Sequence, residues 1–193
     1  MSRKHERFKP KPRPERAVVL TKKSVAKSQL ETAVSLWFQN GDPASILVLA
    51  YNAHEILDAL GRQIGKPSQI KTWIETLPPR FQKQWEYVWN FCKHGLKDID
   101  DDVPYDPGQA EVLLNNAIRC YRDVFGKLSP LLLAFDFRFV IDHPQVVDWP
   151  AVARSAIPLP ELIEAYRQAG SQSREEFLQT FLLLSEAGLV PLT

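Results

Sequence analysis

Cysteine is scarce in this chain, two residues in 193, and neither Cys92 nor Cys120 has a second Cys or a His beside it at metal-ligand spacing. A zinc site or a disulfide framework is therefore not expected, and two buried thiols are the expected state. Long apolar runs are missing as well, since no stretch approaches the ~20 residues that cross a bilayer. The opening MSRKHERFKPKPRPER has charge where a secretory leader needs an apolar centre. Charge of one sign is also lacking: 24 Lys and Arg meet 23 Asp and Glu, a net of +1. That balance excludes a uniformly basic nucleic-acid coat, and 45% hydrophobic residues exclude a wholly disordered chain. There is no Gly-rich phosphate loop, no Gly-x-Ser-x-Gly elbow, no His-Glu-x-x-His and no internal repeat. What remains is a soluble, cytoplasmic domain with a tail, long enough to bury a core.

The small net charge hides an asymmetry. Residues 1–27 hold ten basic side chains (Arg3, Lys4, Arg7, Lys9, Lys11, Arg13, Arg16, Lys22, Lys23, Lys27) against Glu6 and Glu15, a net +8. Residues 28–193 hold 14 basic and 21 acidic side chains, a net −7. Pro10, Pro12 and Pro14 alternate with Lys11 and Arg13, which forbids a helix and favours extended, solvated backbone. Residues 1–20 read as a flexible basic arm, either an RNA- or DNA-seeking one or a solubilising terminus that meets its own acidic body.

From the twenties onward the apolar residues recur at helical spacing. Ala26, Leu30, Ala33, Val34, Trp37 and Phe38 line one face, and Asn40-Gly41 closes that helix. Asp42-Pro43 opens a second, with Ile46, Leu49, Ala50, Ala53, Ile56, Leu57 and Leu60, and the short link predicts an antiparallel hairpin. Ser68 caps a short helix bearing Ile70, Trp73, Ile74 and Leu77. After Pro78-Pro79 comes one that is expected to bury Phe81, Trp85, Val88, Trp89 and Cys92 and to stop near Gly95. Asp106-Pro107 repeats the cap-plus-proline start, before a stripe from Ala110 to Leu128. LLLAFDFRFVID after Pro130 reads as a buried helix, with a strand as the alternative. A proline-rich connection follows, then two helices, one begun at Pro160 and one at the Ser173/Glu176 capping box. The expected fold is all-α, about seven helices: an antiparallel bundle over 21–142, and a connection with a C-terminal helical pair over 143–193.

Candidate chemistry sits where polar residues interrupt a stripe. In Trp89-Asn90-Phe91-Cys92-Lys93-His94, Asn90 and His94 lie one turn apart and point the same way. An imidazole beside a carboxamide and the Lys93 ammonium suits a phosphate-bearing ligand. The bland alternative is a helix-terminal His favoured by the dipole. His54, Glu55 and Asp58 are expected on a solvated face, the alternative being a metal site completed by His94. Asp98, Asp100 and Asp102 begin like a calcium loop, but Val103 stands where Gly is needed and Gln109 where Glu is needed. No metal and no cofactor is assigned.

Asn90-x-x-x-His94 on a helix of a small α-bundle resembles the core of the HEPN superfamily, whose ribonucleases carry Arg-x(4–6)-His with a polar residue commonly after the Arg. The resemblance implies that Asn90 is that polar residue and His94 the catalytic histidine. It also implies a metal-independent attack on RNA and a homodimer with the motif near its two-fold axis. Trp89 stands at the Arg position, so Lys93 or a partner-chain cation would have to supply the charge. Leu36-Trp37-Phe38 with Asp42-Pro43-x-Ser45-Ile46, and Asn90-Phe91-x-Lys93-His94, also resemble segments shared by a group of uncharacterised bacterial helical proteins, over roughly residues 28–140. These readings imply an RNA- or nucleotide-binding protein, possessing or having lost nuclease activity. The alternative is a non-catalytic interaction protein or scaffold.

Overall fold

The computed structural model describes residues 18–93, 102–146, 164 and 167–190. Among these residues every regular element is a helix. Helix α1 (Lys22–Phe38) begins at a Thr21 cap, where the hydroxyl accepts from the Ser24 amide and the Ser24 hydroxyl accepts from the Thr21 amide. Its buried residues are the six the stripe predicts. Asn40, in the left-handed region at φ 51°, turns the chain into α2 (Pro43–Gln63), capped by Asp42 at 2.7 Å from the Ser45 amide. Helix α2 is the central element, packed most extensively on α1 and on α5 (Gly108–Phe125).

Between them α3 (Gln69–Glu75) is capped by Ser68, and α4 (Pro79–Lys93) runs back along α2. Helix α6 (Pro130–Asp142) settles the two readings of LLLAFDFRFVID in favour of helix, with Leu132, Ala134 and Phe135 fully buried. A 3-10 turn, Pro144–Val146, follows it. Residues 167–171 are helical, and α7 (Arg174–Glu186) starts at the expected box: Ser173 Oγ accepts from the Glu176 amide and Glu176 from the Ser173 amide.

The C-terminal helix packs on α6 and α1. Its Phe177 and Phe181 join the same core as Trp37, Phe38 and Phe135.

Three expectations need correction. Helix α4 has no buried residue: Phe81 is 42% exposed, Trp85, Val88 and Trp89 are half-buried, and Cys92 is exposed. Among the described residues the helix packs mainly on α2 and α3, so the stripe identifies a face without saying how fully it is covered. Helix α5 begins one residue later than its proline suggests. Asp106 accepts from the Gly108 amide at 2.9 Å, while Pro107 occupies the cap position with no side-chain bond. The surface placement of His54 and Asp58 is also overturned, because both are buried.

Candidate functional site

Of the sequence-predicted motif, Asn90 and Lys93 lie in the last turn of α4, and His94 falls outside the described residues. Trp89 is stacked on Tyr51 of α2, centroids 4.1 Å apart and planes 17° from parallel. The Lys93 ammonium lies 4.3 Å from the centre of the Trp89 ring. Trp89 is thus an indole wedged between a phenol and a cation, and Lys93 is drawn onto its ring. Burial, with Glu55 and Glu86 nearby, raises the Tyr51 phenol well above its ordinary range, so it stays protonated. The arm residues Arg3, Lys4, Arg7, Lys9, Lys11, Arg13 and Arg16 lie outside the described residues, as do Asp98 and Asp100 of the acidic loop.

A buried polar network does form, and part of it was read as surface. His54 and Asp58 project from α2 onto Ser68, ahead of α3, and Asn116, on α5. The Asn116 carbonyl collects the Ser68 hydroxyl at 2.7 Å, His54 Nε2–H at 2.9 Å and the Cys120 thiol at 3.8 Å. Ser68 Oγ also accepts from the Lys71 amide at 3.2 Å, and its own amide donates to Asp58 at 2.9 Å. Arg62 and Lys71 close the outer side, 2.8 and 3.7 Å from Asp58. Burial lowers the His54 pKa below its ordinary 6.5, so the imidazole is neutral. Burial works to raise Asp58, but Arg62 and the Ser68 amide outweigh it and hold the carboxyl below its usual range. The Cys120 thiol is pushed up to about 11 by burial.

His54 Nε2 also stands 2.7 Å from Ser68 Oγ, but with its proton directed to the Asn116 carbonyl it is not placed as a base for that hydroxyl. Ser68 is, moreover, sealed from solvent and its oxygen is committed to a helix cap and to Asn116. The network therefore joins α2, α3 and α5 and performs no chemistry on a ligand. The metal alternative also loses its donors. His54 Nε2 and both Asp58 oxygens are engaged, and among the described residues no three His, Cys, Asp or Glu side chains gather to hold an ion.

Two concavities share Trp73 of α3, which is 57% exposed. On one side a cavity of about 390 Å³ is walled by Leu77, Phe81, Trp85 and Val88. On the other, a cavity of about 360 Å³ lies between α3 and α5, with Asn115, Asn116 and Arg119 beneath it and Phe139 and Val146 opposite. The sequence places Trp73 on a short helix with Ile70, Ile74 and Leu77, and only Ile74 of that helix is buried. A depression of about 490 Å³ along α1 is wide open and has no aromatic wall.

No family model, curated protein or solved structure matches the chain. Its function is argued from this geometry. No helix among the described residues is long and apolar enough to cross a membrane.

Proposed function

We propose that this chain is a HEPN-like helical protein that binds single-stranded RNA or a nucleotide and has lost the family's nuclease activity. The observation that carries the reading is Trp73, a large exposed indole between two cavities, of about 390 and 360 Å³. Exposed aromatic rings bind unpaired bases by stacking, and basic segments bind the backbone by displacing its counterions. The arm, from Arg3 to Arg16, supplies the second element. Loss of cleavage follows from the uncharged Trp89 at the Arg position and from Lys93 lying on its ring.

A second reading, a non-catalytic protein-docking module or homodimer, is favoured by the partly covered α4, which leaves Phe81 and Tyr87 about half exposed. Retention of a fluorescent single-stranded RNA tests the choice. Binding at low salt, falling steeply as salt rises and falling less steeply once residues 1–17 are removed, is the expected outcome, with no cleavage in EDTA. EDTA-resistant cleavage abolished by His94→Ala would restore an active nuclease. Absence of any retention at low salt would leave the docking module.

A further inference from the structure

We infer that the cavity between α3 and α5 is a nucleobase-binding subsite, taking a base against Trp73 and Asn115–Asn116 with its phosphate toward Arg119. The inference rests on the nucleic-acid reading and specifies where one nucleotide unit is held. Val112, Asn115, Asn116 and Arg119 follow one another at three and four residues, so they share the outer face of α5 and form the floor of the cavity. Trp73 stands over that floor from α3. Phe139 and Val146 bound it from the far side, giving an apolar-walled space within the size range of small-ligand sites.

Asn116 is the decisive residue. It is only 6% exposed, yet it lines the cavity. Its carbonyl is engaged by Ser68, His54 and Cys120, and its Nδ2 donor has no side-chain or backbone partner among the described residues. Asn115 is oriented in the opposite sense: its Nδ2 donates to Asp136 at 3.2 Å, so its carbonyl oxygen is the free end. Consecutive residues with one uncommitted donor and one uncommitted acceptor thus line the same cavity, a pairing that suits a base edge offering an acceptor beside a donor.

Arg119, one turn further along, is exposed and makes no ion pair or side-chain hydrogen bond among the described residues. It is therefore available to a phosphate at the rim. The recognised chemistry is a base joined to a phosphate, whether in a free mononucleotide or in a strand.

The test is calorimetric titration of the full chain with AMP, CMP, GMP and UMP, with adenosine, with ribose 5-phosphate, and with a short single-stranded RNA. Each titration is repeated on Trp73→Ala and Arg119→Gln, two exposed positions whose substitution leaves the core intact. Nucleotides binding more tightly than ribose 5-phosphate is the expected result. Trp73→Ala should weaken base-containing ligands roughly ten-fold. Arg119→Gln should weaken phosphate-bearing ligands by up to roughly five-fold and leave adenosine unchanged. If only the RNA binds and both variants weaken it, the subsite serves a strand. If mononucleotides bind and respond alike, it serves free ligand as well. Ribose 5-phosphate equal to AMP would overturn the base subsite in favour of an anion site. RNA affinity unchanged in both variants would overturn the subsite while the nucleic-acid reading stands on the arm. No binding of any of these ligands would end both.

Discussion

Glu111 shows how one side chain on α5 fastens several elements. Its carboxylate accepts from Trp37 Nε1 of α1 at 2.9 Å and from Arg174 of α7 at 2.6 Å, and it lies 3.1 Å from His143 Nε2 after α6. The Arg174 guanidinium also covers the Trp37 ring at 3.8 Å. Glu111→Ala strands the buried indole N–H and frees Arg174, so we expect a loss of about 2–3 kcal/mol in urea unfolding. His54 gives a second prediction at this scale. Its pKa is lowered on folding, so below 6.5 the unfolded chain takes up a proton that the folded one resists. Glu55, Asp58 and Lys71 also act on it, and burial is the largest cause. Stability contributed by neutral His54 is therefore full above pH 6.5 and is lost as pH falls below it. Urea midpoints at pH 7.5 and pH 5.5 should differ, and His54→Gln should reduce the difference. Midpoints that respond equally in both proteins would contradict this.

At the scale of elements, the end of α2 decides where the polar network forms. The chain turns after Gln63, and the Lys66 amide returns to the Gly61 carbonyl at 2.8 Å. That close pass brings Ser68 against Asp58 and Asn116. A Cβ on Gly61 would run into the Lys66 carbonyl, so Gly61→Ala should cost about 1–3 kcal/mol in urea or thermal unfolding. An unchanged midpoint would show that the turn shifts freely. The α1 face, the Asp42 and Ser68 caps and the Ser173 box were legible in the sequence because local spacing and local hydrogen bonds decide them. On α2 the stripe marked Ile46, Ala50, Ala53 and Leu57 correctly but not the buried polar residues. Leu47, Ala50, Tyr51, His54, Leu57, Asp58 and Gly61 do recur at three and four residues, but hydropathy discounts the two polar members. Their partners, Ser68 and Asn116, come from 14 and 62 residues away from His54, which no local pattern records. The aromatics of α4 misled for the opposite reason: they mark an apolar face, and only tertiary packing decides how much of it stays in solvent.

For the whole molecule, charge and shape divide the work. On the proposed reading, residues 28–193, net −7, repel a phosphate backbone and the +8 segment over residues 1–27 attracts it. That reading assigns salt dependence chiefly to the arm and base stacking to α3 and α5. Asn90 and Lys93 lie in the last turn of α4, the Lys93 ammonium over the Trp89 ring. Ultraviolet cross-linking of a 4-thiouridine-substituted single-stranded RNA to the full chain, followed by tryptic mapping, tests this division most directly. The account predicts label on the peptide Thr72–Arg80, which carries Trp73, in addition to any on the arm. Label confined to residues 1–17, or to the end of α4, would contradict it.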